Sequence, residues 1–228
     1  MIFYGDSNKG LIRPTNQDAY YIDENNGWVV VADGMGGHKG GEIASSITVN
    51  KIKESMKKNN DLKKAIEFAN DEVYKMSNQN PEFAGMGTTV VLCAVEKDEV
   101  KIAHVGDSRA YKITDDEIMK ITKDHSIVQQ LIDSGTITEE QAKYHPQKNL
   151  ITRAVGTDRD VLIDFNTVKI KKDEYILICS DGLSSYTDEQ VIKQIVNKNE
   201  PDKAVKKLID TANENGGKDN ITVVLIKA

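Results

Sequence analysis

Runs of four or more consecutive apolar residues alternate along this chain with longer stretches in which apolar residues recur every three or four positions. The first rhythm predicts buried strands and the second predicts amphipathic helices. Asp18–Asp23 and Trp28–Ala32 are strand-like and are joined by Glu24-Asn25-Asn26-Gly27, a hairpin turn. A helix is predicted from Gly41 to about Lys58. A second runs from Asp61, its N-cap, to Met76, with Leu62, Ala65, Ile66, Ala69 and Val73 as the apolar stripe. After Pro81 and Gly85 come four predicted strands: Thr88–Val95, Val100–Val105, Ala110–Ile113 and Ile118–Ile121. Their short polar connections suit an antiparallel meander. A short helix over Ser126–Asp133 precedes the polar stretch Gly135–Asn149. Strands follow at Val161–Ile170 and Tyr175–Cys179, then helices at Asp188–Asn197 and Asp202–Asn213, and a last strand at Ile221–Ile226. Strand groups bracketed by helix pairs, without strict βαβ alternation, predict an α+β fold with two antiparallel sheets covered by helices. No repeat or linker divides the chain, so one domain over 1–228 is expected.

Composition narrows the class. Of 228 residues, 39% are hydrophobic and 29% charged, which is too apolar for disorder. The formal net charge of −6 argues against nucleic acid or an anionic membrane as a partner, since both need a cationic face. No apolar run approaches the roughly 20 residues of a membrane span. Met1–Asp6 has no secretory character, so a cytoplasmic location is expected. Cys93 and Cys179 each lie in an apolar run and are expected to be buried free thiols, which suits a reducing compartment.

The chemistry lies in where aspartates fall. Val29–Ala32 ends at Asp33-Gly34, Ile176–Cys179 at Ser180-Asp181-Gly182, and Ala103–Val105 at Gly106-Asp107; Asp219-Asn220 opens Ile221–Ile226. Any one of these is an ordinary turn residue. Together they are costly at the edge of an apolar core unless paired or bound to a cation, and four arginines cannot pair them all. Clustered oxygen ligands suit Mg²⁺ or Mn²⁺ rather than zinc, and the Gly34 carbonyl is a further oxygen within reach. Calcium in an EF-hand loop is excluded at Asp23–Gly27, where Gly falls fifth and position twelve is Gly34. Arg13 reads either as a solvated loop arginine or as a fork for two phosphoryl oxygens. The second reading gains from Asp18, which opens a strand five residues later.

Eight blocks then occur in order: Arg13–Asp18 (RPTNQD), Val31–Glu42 (VADGMGGHKGGE), Gly87-Thr88-Thr89, His104–Arg109 (HVGDSR), Asp124-His125-Ser126, Ile151–Gly156 (ITRAVG), Cys179–Leu183 (CSDGL) and Gly217–Thr222 (GKDNIT). In these the chain resembles the metal-dependent serine/threonine protein phosphatases of type 2C, the compact bacterial subset. The resemblance implies a four-layer αββα sandwich, two antiparallel sheets flanked by helix pairs, with a flap at roughly 135–150. It also implies two Mn²⁺ or Mg²⁺ ions bridged by Asp33 and a water or hydroxide. One ion would take Asp181 and Asp219; the other would take Asp18, mostly through water, and the Gly34 carbonyl. A third ion would use Asp107 with Asp181, and Arg13 would hold the phosphoryl group. Hydroxide would attack phosphorus in line, with no covalent phosphoenzyme. Substrates would be phosphorylated proteins of a bacterial serine/threonine kinase, and the chain would act as a monomer.

One departure concerns the proton. Many eukaryotic members of that family read Asp-Gly-His where this chain has Asp33-Gly34-Met35, and methionine donates no proton. His38, three residues on, reads either as a substitute general acid or as a surface-loop histidine. His104 is expected in strand packing, while His125 and His145 carry no assigned role. An aspartyl-phosphate mechanism of the haloacid dehalogenase type would want Asp-x-Asp, and Asp33-Gly34-Met35 lacks the second carboxylate. A non-catalytic relative would have lost a metal aspartate, and none is missing.

Overall fold

The computed structural model describes residues 1–228, apart from the side chain of His38, so the general-acid reading of that residue lies outside the described residues. In chain order the elements are β1 (Ile2–Asn8), β2 (Asp18–Asp23), β3 (Trp28–Met35), α1 (Gly37–Asn59), α2 (Leu62–Gln79), β4 (Gly87–Thr88), β5 (Val90–Glu96), β6 (Glu99–Val105), β7 (Arg109–Ile113) and β8 (Ile118–Lys120). There follow α3 (Ile127–Asp133), α4 (Glu139–Ala142), β9 (Asp164–Lys169), β10 (Tyr175–Cys179), α5 (Asp181–Ser184), α6 (Glu189–Lys198), α7 (Pro201–Glu214) and β11 (Ile221–Lys227). One sheet has the order β1-β11-β10-β7-β8 and the other β2-β3-β5-β6-β9, with β4 paired to β3; the pairings are antiparallel.

Strand alternation builds the layers. On β3, Val29 and Val31 face the second sheet, while Trp28, Val30 and Ala32 pack under α1 and α2. On β11, Val224 and Ile226 enter the space between the sheets. Ile221, Val223 and Leu225 pack under α6 and α7. The fold is therefore a four-layer αββα sandwich with three apolar layers between its elements. Strands buried on both faces explain why their sequences are continuous apolar runs rather than alternating ones. Each fully buried Val, Ile or Leu contributes about 1.5–3 kcal/mol, so the strand ends are held by a stiff frame.

Several boundaries differ from expectation. β1 is a strand although its Gly5-Asp6-Ser7-Asn8 half is polar. It is a sheet edge zipped along its whole length to β11, from Ile2↔Lys227 to Asn8↔Ile221. The predicted strand Thr88–Val95 is broken at Thr89, and α1 begins at Gly37 rather than Gly41. The polar stretch Gly135–Asn149, for which the sequence predicts no element, holds the short helix α4, closed by a capping box between Thr138 and Gln141.

All the aspartates singled out in the sequence arrive at one end of the sandwich. Asp18 and Asp33 are register partners on β2 and β3. Antiparallel β10 and β11 bring Asp181, just after β10, beside Asp219, just before β11. The end of β6 carries Asp107 to the same place.

Candidate metal centre

A cavity of about 510 Å³ opens at this end, lined among others by Arg13, Asp33, Gly34, Asp107, Asp181 and Asp219. Asp18 is not part of the lining itself; it stands beside lining residues Gln17 and Asp33, its chain neighbour and register partner, and is held across the two sheets. Its Oδ2 accepts from Ser180 Oγ (2.8 Å) and Thr222 Oγ1 (2.7 Å), and its Oδ1 is buried without a hydrogen-bond partner. The backbone of Asp33 is clamped on both sides. Its N–H donates to Thr89 Oγ1 at 3.0 Å, and its carbonyl accepts from Thr88 Oγ1 and Thr89 N, both at 2.8 Å. Gly34 is glycine for lack of room: a Cβ there would lie 2.0 Å from the Gly41 carbonyl oxygen. Arg13 Nη2 donates to Asp219 Oδ2 at 2.7 Å, with its side chain 51% exposed at the cavity mouth.

This cluster cannot carry its full negative charge unaided. Burial, and after it the surrounding carboxylates, pushes Asp18 up to about 7, Asp107 to about 8 and Asp181 to about 6. Burial together with the charges of Asp18, Asp181, Asp107 and Asp219 drives Asp33 well above the carboxylate range. Arg13, through its bond to Asp219, is the cation lining the cavity. An all-oxygen donor set, carboxyls driven towards protonation and a buried carboxylate oxygen with no partner together fit hard divalent cations.

Residues 13–225 match the protein phosphatase 2C family. The serine/threonine phosphatase stp of Listeria innocua is 35% identical over 97% of this chain and 93% of its own length. Among solved structures, serine/threonine phosphatase Stp1 from Staphylococcus aureus superposes with a TM-score of 0.92 at 36% identity, covering 99% of this chain and 94% of that one. The catalytic domain of the serine/threonine protein phosphatase PstP, in complex with 2 manganese ions, superposes with a TM-score of 0.89 at 32% identity, covering 98% of this chain and 96% of that one. The chain belongs to the protein phosphatase 2C family. It is a protein serine/threonine phosphatase of the metal-dependent class.

In this phosphatase the carboxylates rest on a polar framework that no single stretch of sequence displays. Asn16 Nδ2 donates to Ser7 Oγ (2.8 Å), and Ser7 Oγ shares a hydrogen bond with Thr222 Oγ1 (2.7 Å), which donates to Asp18. The Asn220 carboxamide accepts from the Gln17 N–H and donates to the Lys9 and Thr15 carbonyls, fixing the loop that carries Arg13. The one signal in the sequence is a hydroxyl residue inside an apolar strand, as at Thr222.

The Asp107 side has its own support. Arg109 grips the buried Asp124 carboxylate through Nε and Nη2, the shortest contact being 2.6 Å. His104 is buried as expected, and its ring stacks on His125 at 4.7 Å. His125 has a place after all: its Nδ1 accepts from the N–H of Gly106, immediately before Asp107 (3.1 Å). His104, His125 and Asp164 bring three ligand-type atoms within 4.8 Å of one another. The Gly106 bond leaves the proton of a neutral His125 on Nε2, 3.2 Å from Asp164 Oδ2, and Arg153 Nη1 takes Asp164 Oδ1 at 2.8 Å. The His125 Nε2 proton and the Arg153 guanidinium therefore already satisfy Asp164, while His104, bonded through Nε2 to the Lys123 carbonyl, keeps a buried Nδ1 without a partner. This trio braces the Asp107 loop.

Proposed function

We propose that this phosphatase hydrolyses phosphoserine and phosphothreonine in phosphorylated proteins, opposing a serine/threonine kinase. In this reading Asp18, Asp33, Asp107, Asp181, Asp219 and the Gly34 carbonyl are the oxygen ligands for two Mn²⁺ or Mg²⁺ ions and a third. The observation that carries it is the convergence of Asp33, Asp107, Asp181 and Asp219 on one cavity, with Asp18 paired to Asp33 beside it and burial raising Asp18, Asp33, Asp107 and Asp181 together. When bound, such cations neutralise the carboxylates and make hydroxide available from water at neutral pH. Arg13 binds the phosphoryl oxygens through its guanidinium fork, swinging from Asp219 at the mouth. The Asp33 backbone clamp and the Ser180 and Thr222 bonds to Asp18 hold the ligand oxygens in place before substrate arrives. Met35 lines the cavity and has no proton to give, so the leaving oxygen is protonated by another group or by water. We read 1–228 as one catalytic domain with a flap at roughly 135–150, whose end places Asn149 at the cavity. A reducing cytoplasm is supported by Cys93 and Cys179, both buried free thiols. No helix among the described residues is long and apolar enough to cross a membrane.

The test is turnover of a phosphothreonine peptide by the purified chain with Mn²⁺, abolished by chelator and restored by Mn²⁺ or Mg²⁺. Asp33→Asn should reduce turnover at least about 10³-fold. Chelator-resistant activity, or full activity in Asp33→Asn, would overturn the reading.

A further inference from the structure

Two lysines outside the cavity converge on one aromatic ring. Lys148, on the flap, and Lys218, on the loop before β11, each place Nζ 5.9 Å from the centroid of Tyr186. Each is the chain neighbour of a cavity-lining residue, Asn149 and Asp219 respectively. The ring stands close to the acidic centre, whose Asp181 and Asp219 charges act, after burial, to raise the Tyr186 phenol. The Lys218 loop is pinned: Gly217 carbonyl oxygen accepts from the N–H groups of Leu11 and Ile12, and Asn215 Nδ2 donates to the Tyr186 carbonyl at 2.7 Å. Among the described residues neither lysine has a carboxylate within ion-pairing distance, although the chain as a whole has a net charge of −6. Two lysines without a carboxylate partner thus adjoin, through their chain neighbours, a cavity whose described lining offers Arg13 as its cation.

We propose that Lys148 and Lys218, gathered on Tyr186, form an anion subsite that binds the carboxylate of an aspartate or glutamate flanking the phosphorylated residue of the substrate. The inference rests on the phosphatase reading above and adds the class of protein segment that it selects. The phosphoryl group itself goes to Arg13 and the acidic centre. The lysines lie outside that cavity, where the neighbouring side chains of a bound peptide pass. Their charge offsets the repulsion that an acidic segment meets from the remainder of the protein.

Phosphothreonine peptides with Glu, Gln or Lys at the flanking positions test it, with Mn²⁺ saturating. The Glu peptide should show roughly fivefold higher kcat/KM than the Gln peptide, and the preference should shrink as salt is raised past about 0.15 M. Lys148→Ala/Lys218→Ala should bring the ratio close to one, and Lys148→Glu/Lys218→Glu should turn the preference towards the Lys peptide. Equal kcat/KM for the Glu and Gln peptides, or a preference that survives both double variants, would overturn the subsite alone. A gain confined to a doubly phosphorylated peptide would assign the lysines to phosphate and overturn the carboxylate assignment. Absence of Mn²⁺-dependent turnover on every peptide would overturn the phosphatase reading with it.

Discussion

Thr222 of β11 donates to the Asp18 carboxylate of β2 at 2.7 Å, a bond that joins the two sheets at the end where the acidic residues gather. Strand alternation puts it there, because Thr222 shares the inward face with Val224 and Ile226. Thr222→Val keeps the shape and removes the hydroxyl, leaving Asp18 with Ser180 alone and Ser7 with Asn16 alone. Metal-free Thr222→Val should lose about 1–2 kcal/mol in urea unfolding. Its Mn²⁺ midpoint for activity should rise severalfold, since Asp18 is then oriented less firmly. Unchanged stability and midpoint would mean that the bond does not support the site.

Stability of the metal-free protein should fall as pH rises from about 5 to 8. Asp18, Asp181 and Asp107 reach about 7, 6 and 8 when folded, against an ordinary value of 3.8. Over that window the folded state holds protons that the unfolded chain has released, so raising the pH favours unfolding. His104 and His125, lowered by burial, act in the opposite sense in the acid part of this window, but with Asp33 also raised the four carboxylates outnumber them. Mn²⁺ should raise the melting temperature more at pH 8 than at pH 5. A metal-free melting temperature that is flat or rising across this range would contradict the charge frustration of the site.

The strands that frame the centre were legible because burial on both faces makes them continuous apolar runs, as in Val29–Ala32, Ile176–Cys179 and Ile221–Ile226. The aspartates stood out because each interrupts or precedes such a run. What was not legible depends on distant pairing. Ser180 and Thr222 bond Asp18 from 162 and 204 positions away, and a hydroxyl in or beside an apolar strand signals a buried polar contact without naming its partner. β1 escaped notice because an edge strand tolerates polar residues, while α4 and α5, at four residues each, are too short for a helical period to appear. The Lys148–Tyr186–Lys218 grouping likewise exists only after folding.

Arg13 bonds Asp219 with its side chain half in solvent, so the pair should contribute little to stability, about 0–1 kcal/mol. Its effect belongs to substrate. Arg13→Ala should lower kcat/KM on a phosphothreonine peptide roughly 10- to 100-fold at saturating Mn²⁺. Arg13→Lys should fall between, because an ammonium is a point charge without the planar fork. Equal activity of wild type and Arg13→Ala would remove Arg13 from phosphoryl binding.

Gly182 follows Asp181 in α5, and a Cβ on it would lie 1.9 Å from the Asn220 carbonyl oxygen. That oxygen belongs to rigid backbone, since the Asn220 side chain is tied to the loop at Lys9, Thr15 and Gln17. Gly182→Ala must therefore push α5 from the start of β11, moving Asp181 from Asp219 and disturbing the loop that carries Arg13. We expect a loss of about 3 kcal/mol in unfolding free energy. The Mn²⁺ requirement should also shift to at least about tenfold higher concentration. Gly85→Ala is the control, because that residue has φ +75° but nothing within 4 Å of its would-be Cβ. It should cost only the left-handed backbone strain of about 1–2 kcal/mol and leave the Mn²⁺ midpoint in place. The close approach of Gly182 to Asn220 would have no bearing on the metal centre if both variants showed the same Mn²⁺ dependence.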